Sequence, residues 1–341
     1  MSLQWRTRPL LVALGVLAVL LAAFVRALLS FDDYPMSVAD VLRTLTGGGD
    51  GGETFVLFTL RMPRALTAAL VGAALGLAGA IMQSLTRNPL ASPDTLGVMW
   101  GASVGAIAVI VFGGSTGQVS GLVSQVGVPV GALVGGLVTS AVVFGLAWSS
   151  GLEPTRLLLM GVAASLFCAN LVYWAMSWTE VQDATRAQTW LTGSMHAADW
   201  DRVGPAALAL AVLLPLCLAA AHALGALVLG DDTARGLGVR VERARLLLLL
   251  IATLLACVAV SAAGPITFVA LAAPQIALRL CKLAYPPLAT SMLLGSALTL
   301  IADQIAAGLF PVALPVGVFT AVLGAPYLMY LIVRRHREQH L

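Results

Sequence analysis

Eight long stretches of this chain carry no Asp, Glu, Lys or Arg: Pro9–Val25, Ala65–Thr86, Thr95–Leu152, Leu157–Thr179, Val203–Gly230, Leu246–Leu278, Leu283–Ala302 and Gln304–Val333. A helix needs about 20 mostly apolar residues to cross a bilayer, so each stretch can hold at least one span. Thr95–Leu152 has room for two, with a Gly/Ser-rich turn near Gly113–Gly121, and Leu246–Leu278 holds two, broken at Gly264-Pro265. That makes ten spans. Backbone crossing lipid must satisfy its own hydrogen bonds, which leaves helices or closed barrels. Alternating ten-residue strands are absent, so the expected class is an all-α polytopic membrane protein with about ten transmembrane helices. Composition agrees: 59% of residues are hydrophobic and 10% charged, against about 25% charged in soluble domains.

Charge placement orients the bundle. With ten spans and both termini inside, Arg26, Arg43, Arg61, Arg64, Arg186 and Arg202 fall outside and the other 13 of 19 basic residues fall inside, as the positive-inside rule requires. The expected location is the cytoplasmic membrane, multi-pass, with both termini cytoplasmic. The apolar run after Arg6 and Arg8 is longer than a usual signal-peptide core and reads as an uncleaved first span. Cys168, Cys217, Cys257 and Cys281 lie in apolar runs without CxxC spacing and read as small buried hydrophobes.

The polar interruptions carry what chemistry there is. Ser37–Leu45 reads as a short external helix with Ser37 as its N-cap. In Phe58–Val98, Arg61 and Arg64 bracket Pro63 at the outer mouth of span 2. Gly72, Gly76 and Gly79 then form a stripe suited to close helix packing. The span ends at Arg87-Asn88-Pro89, and Pro89 and Pro93 make RNPLASPD an irregular inner link. Asn170 lies mid-span and is expected to bond a neighbouring helix ahead of touching cargo. Gln182–Leu191 reads as an interfacial helix, and His196 and His222 as ordinary polar residues without metal partners. Asp303 is the sole carboxylate within a span, open to a local helix-end role or a proton relay. Pro311 and Pro315 make the last outer turn, and Arg334, Arg335 and Arg337 an inner anchor.

The longest polar interruption of the second half is Val228–Arg245, VLGDDTARGLGVRVERAR. Asp231 and Asp232 suit a helix start. Thr233-Ala234-Arg235 can continue a short helix that Gly236 and Gly238 break, and Arg240, Glu242, Arg243 and Arg245 form a basic flank. By shape it is either an ordinary inner loop or a docking knob. No GxxxxGK[ST] or HExxH occurs, so the chain has no engine of its own. Its uncharged spans disfavour an ion-coupled carrier, and its glycine-rich spans a non-transporting scaffold.

The segments LRMPRALTAALVGAALGLAGAIMQSLTRNPLASPDTLGV (60–98), WLTGSM (190–195), LGDDTARGLGVRVERAR (229–245), AGPITFVALAAPQIALRL (263–280) and LPVGVFTAVLGAPYLMYL (314–331) resemble, across essentially the whole chain, the FecCD/BtuC-like permeases of ABC importers for iron–siderophores, haem and vitamin B12. Within that family, GDDTARGLGVRVERARLLL and SLTRNPLASPD are most similar to ferric-enterobactin permeases, a catecholate-type lean. The resemblance implies a type II ABC importer permease fold, one transmembrane permease domain over 1–341, and alternating access. It implies a second homologous permease, two cytoplasmic ATPases that hold the ATP-Mg, an external siderophore-binding protein and a ferric-siderophore cargo. It implies no nucleic acid, no catalytic residue, and no cofactor or metal held by this chain. Gly230, Asp231, Asp232, Thr233, Ala234, Arg235, Gly236, Leu237 and Gly238 match the family's ATPase-coupling segment, within 229–245. Arg61 and Arg64 match arginines that meet the binding protein. Asn170, Gln275 and Asp303 are the pathway candidates. Ala307 stands where the family often has a third arginine, and Pro274-Gln275 where it has Pro-His. Both departures imply a heterodimer of permeases.

Overall fold

The computed structural model describes residues 4–29, 34–113, 127–148, 154–196, 198–309 and 313–339. The expected turn beyond Gly113, most of the inner loop before Arg156, Pro311, and the side chains of Arg6, Arg334, Arg335 and Arg337 lie outside the described residues. In chain order the helices are α1 (Gln4–Leu29), α2 (Val38–Leu45), α3 (Gly51–Phe55), α4 (Met62–Thr86), α5 (Val98–Gly113), α6 (Val128–Ala147), α7 (Pro154–Ser177), α8 (Val181–Leu191), α9 (Trp200–Val228), α10 (Asp231–Gly236), α11 (Val241–Ala263), α12 (Val269–Cys281), α13 (Leu288–Gly308) and α14 (Val316–Gln339). A π-helical stretch, Val56–Arg61, joins α3 to α4 without a break, and a 3-10 turn, Pro93–Leu96, precedes α5.

Seven helices are long and apolar enough to cross a bilayer, and shorter apolar helices occur at Val98–Phe112, Val269–Cys281 and Val316–Met329. Together they are the ten expected spans. The breaks follow from local chemistry. Gly264 (φ 74°) and Phe268 (φ 67°) are both left-handed, so the chain between α11 and α12 leaves the helix where Gly264-Pro265 suggested. Ser37 caps α2 reciprocally with Asp40, as expected. One boundary differs. The basic flank Val241–Arg245, read as loop, is the first turn of α11. Buried Arg245 is drawn into that helix by a partner described below.

α4 is the central helix. It packs on α13, α11, α12 and α9, and nearly all its residues beyond Arg64 are buried. Its glycines do what their spacing suggested. A side chain on Gly72 would run into the Gly295 carbonyl of α13, and one on Gly76 into that of Ser291. In lipid, where apolar burial between helices gives little drive, such close backbone approach is the main source of packing contact. The perimeter is the reverse. Leu10 and Leu14 of α1, Val134 and Val138 of α6, Leu166 and Phe167 of α7, and Leu208 and Leu216 of α9 point outward. Apolar faces this broad suit acyl chains. All four cysteines are buried and free.

The short helices sit at opposite ends of the bundle. α2 packs on α1 and α3, α8 packs on α5 between the end of α7 and the start of α9, and at that end Trp200 Nε1 donates to the Phe58 carbonyl at 2.8 Å. α10 lies at the other end, beside the C-terminus of α4 and the start of α11.

Candidate functional site

Three groups of polar residues stand out from the apolar bundle. The first is the α10 knob. Gly230 precedes it with φ 118°, a conformation that side chains resist. Asp231 and Asp232 then occupy its first turn, where the helix dipole favours acids. The two aspartates diverge. Asp232 is fully exposed and takes a 2.9 Å hydrogen bond from Arg235 Nη1, so this pair faces away from the bundle. Asp231 faces inward. Arg245 Nη2 contacts both its carboxylate oxygens, at 3.0 and 2.8 Å. Arg87 Nη2 reaches the same carboxylate at 3.0 Å while also donating to the Leu227 carbonyl at 2.8 Å. Burial opposes ionisation of Asp231, but the two arginines outweigh it and hold the carboxyl below its ordinary range. The knob is thereby pinned to the end of α4, through left-handed Arg87 (φ 51°), and to the start of α11. Thr233, Ala234, Gly236, Leu237 and Gly238 complete the segment; Ala234 is buried beneath it and Leu237 exposed.

The second group lies at the opposite end. Arg61, expected at the mouth as a partner contact, is only 4% exposed. Its guanidinium donates to the Leu28 carbonyl at 2.9 Å and the Tyr34 carbonyl at 2.6 Å. The last carbonyls of a helix lack intrahelical donors; Arg61 serves one at the end of α1, Leu28, and ties it to Tyr34 in the link that follows. Its sequence position does not reveal this, because the π-helical stretch that swings it inward has no sequence signature. Arg64 forms a two-point ion pair with Asp303 of α13, Nε to Oδ2 at 2.8 Å and Nη2 to Oδ1 at 3.1 Å. Asp303 thus makes a local contact near the end of α13. Arg64 keeps partial exposure and, with Arg61 and exposed His196, borders a cavity of about 250 Å3.

The third group concerns the interior. Gln275 is buried and donates to Gln83 Oε1 at 2.7 Å, while Gln83 donates to the Leu271 carbonyl at 3.1 Å. Gln275 thus bolts α12 to α4. Asn170 is exposed and spends its amide on its own helix, donating to the Leu166 carbonyl at 2.8 Å. Among the described residues the interhelical bond expected of it is not made, since its amide turns to its own helix on an exposed face of α7. A cavity of about 580 Å3 lies instead among α5, α7, α8, α12 and α14. Trp100, Ser103, Ser165, Tyr173, Thr192 and Phe268 line it, and so does Asp94. Asp94 belongs to the SPD turn that the sequence places in an inner link. The turn folds back against α7, where Ser165 Oγ donates to the Asp94 carbonyl at 3.2 Å. The Ser92–Thr95 capping pair marks a short helical turn, but nothing local shows that it enters the bundle. Burial raises the Asp94 carboxyl from 3.8 to about 7.

Comparison with known proteins agrees with this architecture. Residues 17–334 match the FecCD transport family. The chain is 37% identical over 305 residues to the ferric enterobactin transport system permease protein FepG of Escherichia coli, covering 89% of this chain and 90% of that one. It is 36% identical over 337 residues to the Fe(3+)-citrate import system permease protein YfmE of Bacillus subtilis, covering 97% of each. It is 33% identical over 335 residues to the iron(3+)-hydroxamate import system permease protein FhuG of the same organism, covering 97% and 99%. A solved metal-chelate type ABC transporter in an inward-facing conformation superposes with TM-score 0.78 at 27% identity, covering 95% of this chain and 99% of that one. The arrangement of ten apolar helices is accordingly that of a type II ABC importer permease, and the chain belongs to the FecCD transport family.

Proposed function

We propose that this chain is one of two permeases in an ATP-driven importer that carries a ferric siderophore, of catecholate type, across the cytoplasmic membrane. Both termini and α10 face the cytoplasm, and α2 and α8 face outward. The partner permease is a related but different chain, since Ala307 and Gln275 depart from the family pattern. Two ATPases hold the ATP-Mg, and an external binding protein delivers cargo over the Arg64 side. The observation that carries the reading is α10 itself: a knob with an exposed Asp232–Arg235 face, fixed from behind by Asp231 to two spanning helices. A push on that face reaches α4 and α11 directly. The relatives' cargoes, enterobactin, citrate and hydroxamate iron complexes, support ferric chelates as a class, and the FepG likeness supports catecholates within it.

In mechanism, ATP-driven closure of the ATPases displaces α10, and the helix pair it grips reorients the cavity between α5, α7, α12 and α14 from one side of the membrane to the other. The cavity walls are mostly apolar and hydroxyl-bearing, so cargo is held weakly enough to leave. Reconstitution with the partner permease, ATPase and binding protein, followed by uptake of labelled ferric tris-catecholate with and without ATP, tests the proposal. Uptake that requires ATP and the binding protein supports it. Uptake by this chain without an ATPase, or no uptake of any ferric chelate, overturns it.

A further inference from the structure

Asp94 is the one charged residue lining the 580 Å3 cavity among the described residues. The rest of the lining is neutral: aromatic, aliphatic, hydroxyl or amide. The elements packed against its turn bring it no counter-charge. α5 has no charged residue at all. On α4, Arg64 is paired with Asp303, and Arg87 just beyond is paired with Asp231. On α11, Arg245 is held by Asp231 with Glu242 beside it, and Arg243 is exposed. On α7, Arg156 sits at the helix start, away from the Ser165 contact, and Tyr173 is the other titratable group on the wall. On α8, Arg186 faces Asp183.

We propose that Asp94 is a charge filter on the cargo path: neutral, it lets a polyanionic chelate pass, and ionised, it opposes that chelate while leaving an uncharged one unaffected. This rests on the cavity being this chain's share of the translocation path. The cargo chemistry makes the distinction sharp. Three dianionic catecholates around iron(III) leave three negative charges, whereas three monoanionic hydroxamates leave none. A carboxylate in a protein-walled cavity acts on such a charge with less screening than in bulk water. Desolvation alone lifts its pKa to about 7, so the switch between the two states falls in the physiological range. Protonated, its O–H also gives the chelate a hydrogen-bond donor beside Ser103 and Ser165.

The test uses the complete reconstituted importer. Wild type is first shown to carry a ferric chelate with ATP; failure there counts against the proposed function and not against the filter. Uptake of ferric tris-catecholate is then compared for Asp94→Asn and wild type at about pH 6 and about pH 8, either side of the raised value. The variant-to-wild-type ratio is expected near one at the lower pH and to rise roughly tenfold at the higher, with ATPase rates matched. An uncharged ferric tris-hydroxamate should show a flat ratio. Asp94→Glu, which keeps a titrating group, should retain the pH dependence and serves if the Asn variant does not assemble. A flat ratio for the tris-catecholate, equal pH dependence for both chelates, or pH-independent uptake by Asp94→Glu overturns the proposal.

Discussion

Arg245 and Asp231 are locked together across the base of the α10 knob, one guanidinium nitrogen bridging both carboxylate oxygens at 3.0 and 2.8 Å. The arginine side chain is 9% exposed and the aspartate 34%. With Arg87 on the same carboxylate, the contact makes α10 an extension of two spanning helices and not a loose loop.

Replacing Asp231 by Asn should therefore cost stability as well as coupling. Buried Arg245 would lose its two-oxygen carboxylate partner and keep Glu242 only at 4.0 Å, a loss of about 1–3 kcal/mol, measured as a lower unfolding midpoint in detergent. The pH sign follows from the lowered carboxyl. Its contribution is present above the unfolded value near 4 and disappears as pH falls through the folded one. The gap between wild type and Asp231→Asn should close in acid; a gap that widens there would contradict the ion-pair account.

The outer pair should behave oppositely. Asp232 and Arg235 form an exposed ion pair with each other, so neutralising both (Asp232→Asn with Arg235→Gln) should change stability by no more than about 0.5 kcal/mol. Uptake per ATP hydrolysed should nevertheless fall in the assembled importer. Unchanged coupling would remove the exposed face of α10 from the ATPase contact.

At the far end, Arg64 and Asp303 should show strong non-additivity. Asp303 is buried, so Arg64→Ala strands its charge and should cost about 3–5 kcal/mol. Arg64→Met with Asp303→Leu together should recover much of that loss. A double-mutant cycle on thermal unfolding measures the coupling, and additive losses would show that the pair is not a buried unit.

Asp94→Asn should stabilise the protein in a pH-dependent way. A carboxyl whose pKa is raised from 3.8 to about 7 binds more protons folded than unfolded between those values, so wild type loses stability as pH rises through that window. The Asn variant has no such loss. Its advantage should grow from about pH 4 to about pH 7 and then level off, followed by unfolding scans across that range; a constant difference would place Asp94 in contact with water.

The ten apolar helices were legible because lipid dictates them: uncharged runs of sufficient length have no other stable place. The α4 glycine stripe was legible too, since its spacing puts small residues on one helix face and only close packing uses such a face. The partners of polar side chains were not. Arg61, Arg64, Asp231 and Asp232 look equivalent as charges in short links, yet one pins a helix end, two form interior ion pairs and one stands in the open. Asn170 and Gln275 both read as interior amides, and only Gln275 meets a neighbour. Asp94 read as part of an inner loop and lines the cavity. Sequence period and composition decide which segments leave water and how they lie along the membrane. Which charge meets which depends on residues as far apart as 64 and 303 being brought together by helix packing, and only the assembled bundle specifies that.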